Sequence, residues 1–213
     1  MPELLLVSLQ LRCLAASSWR ASRQVSTLVR EWPCLHLPIP STIQPLGGPN
    51  PPWLLLDCAH TELSIRATRL TLRCTFPRAA LVVVLALAAD KDLEAVAREV
   101  VRAAPALVLC TRCDIAGSAQ RSLAPGAIAA AVSLAAAEAS GAVEGLREDV
   151  GHAVLSVEVC SDMHAAMTAA TARVAQLQAS VEGLEAVICV TGSNAAVRDA
   201  HAAAAALIVN PRS

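Results

Sequence analysis

The chain has 213 residues, of which 55% are hydrophobic, and its formal net charge is −1. So much apolar side chain excludes a disordered chain, and 17 basic against 18 acidic residues leave no electrostatic footprint for nucleic acid. Three Trp, one Phe and no Tyr leave alanine and small aliphatics to fill the core, as in an α/β protein with closely packed helices.

Residues 1–31 read as an N-terminal remnant or helical extension, with one helix expected over residues 4–30. Its start, "MPELLLVSLQLRCLAASSWRASRQVSTLVR", lacks the basic n-region of a secretory signal. Glu3 and the Leu-rich patch speak against an organellar transit peptide. The expected location is intracellular, with cytosol, mitochondrion and plastid all open. The longest apolar runs, residues 81–89 and 202–209, are too short to span a bilayer, so no membrane partner is expected.

Residues 32–213 are expected to form one α/β domain. Its first stretch, "REWPCLHLPIPSTIQPLGGPNPPW", carries most of the prolines and reads as a linker and surface loop. From residue 53 a unit repeats: apolar run, polar junction, helical stretch. The runs "WLLLD", "LVVVLALA", "ALVLCT", "AVLSVEV" and "AVICVTG" are nearly continuous rather than alternating, as strands buried on both faces are. Between them, "KDLEAVAREVVRAA" places Leu93, Val96, Ala97, Val100 and Val101 on one helix face. "PGAIAAAVSLAAAEASGAVEGL", "SDMHAAMTAATARVAQLQASV" and "SNAAVRDAHAAAAALIV" are Ala-rich helical stretches, and Ser161 or Asp162 is a suitable N-cap for the second. Alternating β and α with strands this apolar predicts a doubly wound, mostly parallel Rossmann-like sheet of five to six strands with helices on both faces.

In such sheets ligands sit outside the carboxyl ends of the strands, so the strand-end junctions are the candidate site. After the first run stands "DCAH". Asp57 reads either as a helix N-cap or as a carboxylate facing a ribose hydroxyl. His60, at the positive end of a helix dipole, would then stay neutral and hydrogen-bond a substrate. After the second run, "ADKD" reads as a polar helix start with Asp90 as N-cap, or else as a place where Lys91, the only lysine, reaches an anion. After the last run, "VTGSN" offers the free amides and hydroxyl of a helix start.

Other chemistries find no pattern. "CTRC", residues 110–113, is a lone C-x-x-C without the second pair or the histidine spacing of a zinc site, so no metal ligands are expected. The eight cysteines read as buried, reduced thiols. No G-x-S-x-G, no G-x-G-x-x-G and no G-x-x-x-x-G-K-[ST] occurs.

Taken in order, "WP", "LLLDCAHT", "ADKD", "VLCT" and "VTGS" resemble the C-terminal domain of folylpolyglutamate synthase over roughly residues 32–205. That family writes these junctions D-G-A-H-[NTS], D-K-D and T-G-S, on the Mur ligase C-terminal fold. The resemblance implies an ADP-forming ligase that uses ATP and Mg2+ to join L-glutamate to the γ-carboxyl of a tetrahydrofolate or folate polyglutamate. It places Asp57 on ATP, and His60 and Ser193 on the glutamate side. It also implies an N-terminal ATPase domain with a G-T-N-G-K-G-[ST] loop and magnesium ligands, which do not occur in these residues. On that account the chain alone is expected to be inactive, acting with an ATPase domain as partner. The alternative expectation is a degenerate, non-catalytic binding domain. Two departures bear on this: the family's P-G-R becomes Pro33-Cys34-Leu35, and the glycine of D-G-A-H becomes Cys58. If the backbone at residue 58 required φ > 0, that side chain would be costly.

Overall fold

A computed structural model describes residues 42–46, 51–115, 121–141 and 155–209. The helix expected over residues 4–30, the Pro33-Cys34-Leu35 stretch and Cys13 lie outside the described residues. The elements run β1 (Thr42–Pro45), β2 (Trp53–Leu56), α1 (Glu62–Thr75), β3 (Ala80–Leu85), α2 (Leu93–Arg102) and β4 (Leu107–Cys110). They continue with α3 (Pro125–Gly141), β5 (Ser156–Val159), α4 (Met163–Ser180), β6 (Ala186–Thr191) and α5 (Asn194–Val209).

The six strands form one sheet in the order β1-β2-β6-β3-β4-β5. Every neighbouring pair is parallel except β1 with β2. All five runs named from the sequence are strands, and they are the parallel ones. The exception corrects the linker reading of the proline-rich stretch, where "TIQP" pairs antiparallel from Thr42↔Leu56 to Pro45↔Trp53. Only an edge strand tolerates such a sequence, because a proline there gives up a donor that no neighbour needs.

Alternation within each strand builds two apolar layers. Leu54, Leu56, Val82, Val84, Leu107, Leu109, Ile188 and Val190 pack against α4 and α5, which offer Met163, Met167, Val174, Ala196 and Ala200. Leu55, Leu81, Val83, Leu85, Val108, Val187 and Cys189 face the opposite way, onto α1, α2 and α3. At about 1.5–3 kcal/mol for each large apolar side chain removed from water, these two layers supply the main driving force. Small residues on α4 and α5 let both helices lie close to the sheet.

The α1–α3 side also holds a charge. Glu99 of α2 is 1% exposed, and its carboxylate accepts from Arg69 Nε of α1 at 3.1 Å and from Arg102 one turn on. Burial opposes ionisation of Glu99, but the two arginine hydrogen bonds outweigh it and hold its pKa below the usual range. The triad ties α1 to α2. Among the described residues no helix is long and apolar enough to cross a membrane.

Candidate functional site

Two crossovers start at neighbouring strands in the middle of the sheet. Since β2 and β6 are parallel partners, their carboxyl ends lie side by side, and the junctions that follow are stitched together. Asp57 N donates to Val190 O at 3.0 Å, extending the ladder by one rung. Beyond it, the carbonyl of Ala59 accepts from Gly192 N at 2.8 Å and from Thr191 Oγ1 at 3.0 Å. The "DCAH" turn is thus fixed against the "TGS" turn across a sequence separation of about 130 residues.

Asp57 is not the N-cap of α1, which corrects that reading. Thr61 caps the helix: its Oγ1 accepts from Ser64 N, while Ser64 Oγ accepts from Thr61 N. This reciprocal box satisfies two otherwise orphaned donors. The Asp57 carboxylate instead turns back on its own segment. Oδ1 accepts from Ala59 N at 3.0 Å, and Oδ2 accepts from the buried Thr68 Oγ1 at 2.6 Å. Each oxygen retains acceptor capacity, and the residue is half-buried at the edge of the sheet.

His60 stands just before the cap, half-buried. Its backbone N donates to Ser64 Oγ at 3.0 Å, and its Nδ1 lies 2.8 Å from Cys58 O. A carbonyl can only accept, so Nδ1 carries a proton, and of the two neutral tautomers the one that fits leaves Nε2 as an acceptor. The structure therefore gives His60 a defined tautomer and a fixed ring.

Cys58 is free of the feared backbone penalty. Among the described non-glycine residues only Ala104 has positive φ. Burial, then the neighbouring Asp57 carboxylate, push the Cys58 thiol up, so it stays protonated rather than nucleophilic.

Gly192 does need to be glycine. Its φ is +111°, and a Cβ there would come within 2.3 Å of Ala86 O. The bare backbone lets β6 turn while pressed against the end of β3. The space is filled by protein, so this glycine is no open phosphate cradle. Ser193 follows as the N-cap of α5, its Oγ accepting from Ala196 N at 3.0 Å. Its side chain is also 3.2 Å from Cys113 Sγ.

The β3–α2 junction is separate. Asp92, not Asp90, caps α2, accepting from Ala95 N at 3.0 Å. Lys91 Nζ donates to its exposed neighbour Asp90 at 2.9 Å. No described contact joins Lys91 to Asp57, His60 or Ser193. For α4, Asp162 rather than Ser161 is the N-cap.

"CTRC" divides between the two layers, Cys110 packing on the α1–α3 side and Cys113 on the α4–α5 side. Burial pushes the Cys110 thiol up to about 12. The six cysteines among the described residues form no disulfide with one another. Among the described residues no three His, Cys, Asp or Glu side chains are grouped to hold a metal ion.

The sequence reading missed the supporting residues. Thr61 and Ser64 were signalled by a T-x-x-S spacing, and Thr68 by its place one turn further on. Cys113 had no local signal, because its partner Ser193 lies 80 positions away.

The family model "Mur ligase, glutamate ligase domain" matches residues 43–194. The chain belongs to this family. Solved structures share the fold of the Mur ligase domain described above. A Mycobacterium tuberculosis folylpolyglutamate synthase complexed with ADP superposes with TM-score 0.56 at 24% identity, over 82% of this chain and 33% of that one. The same enzyme complexed with ADP and AMPPCP gives 0.55 at 22%, with the same coverage. The folylpolyglutamate synthase of Thermotoga maritima gives 0.50 at 17%, over 81% and 30%. At such identities the likeness is one of fold, and the chain spans about a third of each of these proteins. Among curated proteins, none matches.

Proposed function

We propose that this Mur ligase domain is the glutamate-handling part of an ATP-dependent ligase of the folylpolyglutamate synthase type, extending the γ-carboxyl of a folate. The observation that carries the reading is the double hold of Gly192 N and Thr191 Oγ1 on the Ala59 carbonyl, which sets His60 and Ser193 on adjoining turns. On this reading the Ser193 hydroxyl donates to a carboxylate of L-glutamate. The Nε2 acceptor of His60 faces its ammonium group and orients the amine that forms the new amide. Asp57, with acceptor capacity left on both oxygens, meets a ribose hydroxyl of the nucleotide. Phosphoryl activation of the folate carboxyl belongs to a partner ATPase domain bearing a G-K-[ST] loop, and no step of it is assigned to these residues.

Titration of the full chain with L-glutamate, followed by amide NMR, tests the reading. Resonances of His60 and of Thr191 to Ser193 should shift, and Ser193→Ala should abolish the response. No shift at either junction would sink the proposal. The purified chain alone should not elongate tetrahydrofolate with ATP and glutamate, and measured turnover would overturn the assignment of activation to a partner. ADP binding that is unchanged in Asp57→Asn would remove the nucleotide role of Asp57.

One observation favours a second reading, a non-catalytic binding domain: both Asp57 carboxylate oxygens are engaged by the protein itself, at Ala59 N and Thr68 Oγ1. Adding a folylpolyglutamate synthase ATPase domain in trans separates the two. Elongation supports the ligase, and glutamate binding without elongation supports the binding domain.

A further inference from the structure

The second cysteine of "CTRC" has no place in the reading above, yet it touches the site. Cys113 is 4% exposed, in the loop after β4, and its Sγ lies 3.2 Å from Ser193 Oγ. The loop cannot swing away easily. Asp114 N donates to Asp199 Oδ2 of α5 at 2.8 Å, and Arg198 of α5 donates to Asp114 O. On its other side, Cys113 N donates to Ser122 Oγ at 3.3 Å, and that same oxygen is 4.0 Å from Cys113 Sγ. Three chain segments therefore converge on one thiol.

A serine hydroxyl has one proton to give and two lone pairs to fill. At Ser193 one lone pair is taken by Ala196 N, as the cap of α5 requires. The Ser122 hydroxyl is directed to Leu123 O at 3.5 Å and lies 4.0 Å from Cys113 Sγ, so the near acceptor for the thiol proton is the second lone pair of Ser193, 3.2 Å away.

We infer that Cys113 is a positioning residue of the site: its S–H fills the remaining acceptor position of Ser193 and makes that hydroxyl a dedicated donor toward an anionic ligand group, a carboxylate. Without the thiol, the Ser193 hydroxyl could accept from water or a ligand amine as readily as donate. The inference rests on the proposed role of Ser193, and deepens it by naming what sets its polarity.

Raman spectroscopy of the unliganded full chain tests the hydrogen bond alone. The S–H stretch of Cys113, isolated by difference against Cys113→Ala, should lie at the lowered frequency of a donor and rise again in Ser193→Ala. A band at the free-thiol position, unmoved by Ser193→Ala, overturns the inference whatever the ligand does. L-glutamate affinity by NMR titration tests the consequence. Cys113→Ala, with amide dispersion confirming the fold, should weaken binding roughly two- to tenfold, the worth of one hydrogen bond. Cys113→Ser should restore most of it. A role in packing alone predicts the opposite order, since serine buries an extra polar group where alanine does not. Equal affinity in wild type and Cys113→Ala overturns the inference and leaves the proposed function intact. No glutamate binding by the wild type overturns the proposed function itself, and the ligand-facing half of the inference with it.

Discussion

Two strand-to-helix junctions of similar composition, Asp57 to Thr61 after β2 and Asp90 to Asp92 after β3, stand at the same edge of the sheet. Each pairs an aspartate with a basic residue and opens a helix. In the first, the aspartate turns inward to Ala59 N and Thr68, a separate threonine caps the helix, and the next carbonyl is gripped by another crossover. In the second, Asp92 caps its helix, and the Lys91 side chain meets the exposed Asp90 beside it. The difference lies in where each junction sends its polar groups. The first turn is bonded to the turn after β6 and holds its side chains beside that turn, while the second is bonded to residues 121–123, through Ala89 N to Arg121 O, and is held away from it.

The cross-strand grip is where the comparison breaks hardest. Gly192→Ala would set a Cβ 2.3 Å from Ala86 O at a φ of +111°. We expect a loss of about 3 kcal/mol or more, read as a large fall in the urea midpoint. Unchanged stability would show that the two turns are not rigidly joined.

Next comes Asp57→Ala, which strips a charged acceptor from Ala59 N and from the buried Thr68 hydroxyl. A loss of about 2–3 kcal/mol is expected, against about 1 kcal/mol for Asp92→Ala, where only a helix cap is removed. Equal losses in urea unfolding would place both aspartates in the same local role.

The helices that the two junctions open are themselves joined by Arg69, Glu99 and Arg102, which makes a further expectation. With its pKa depressed in the folded state, Glu99 contributes stability that is present above its ordinary value of 4.5 and lost as pH falls through the folded value. Glu99→Gln should cost on the order of 1 kcal/mol at neutral pH, since the arginines are partly in water. It should also flatten the acid limb of the stability profile below about pH 4.5. Thermal denaturation at pH 7 and pH 3.5 checks both. The same steep limb in wild type and Glu99→Gln would show that the triad carries no linkage.

How much of this was legible in the sequence depended on the range of the interactions. Four parallel strands were readable because burial on both faces leaves a continuous apolar run, which any short window detects; β5, at the sheet edge with Glu158 and Val159 exposed, showed an apolar run without that burial. β1 was not, since an edge strand with a proline looks like a loop until its partner is known. The candidate junctions came from the general rule that ligands meet the carboxyl ends of parallel strands, and the resemblance named Asp57, His60 and Ser193 as candidates there. The caps were misplaced at Asp57 and Asp90 because several polar residues precede each helix, and only backbone geometry chooses among them. Buried Glu99 and the Cys113–Ser193 pair were invisible for a deeper reason. Arg69 lies 30 positions from Glu99 and Ser193 lies 80 from Cys113, and no local pattern encodes such distances, although Arg102 stands one turn from Glu99.

The smallest expected effect is the most direct test of the contrast. Lys91 is the chain's only lysine, and an anion-binding task for it was one of the two readings of "ADKD". The structure gives it an ion pair with an exposed adjacent carboxylate, an arrangement that water screens and that the lysine's own side-chain entropy opposes. Asp90 has its pKa lowered first by that hydrogen bond from Lys91, so Lys91→Ala should return the carboxyl toward its ordinary value in an NMR titration. Melting temperature and L-glutamate affinity should both stay at wild-type values. A glutamate or ADP affinity that falls in Lys91→Ala would mean that the second junction reaches into the site after all, and the separation of the two junctions would have to be abandoned.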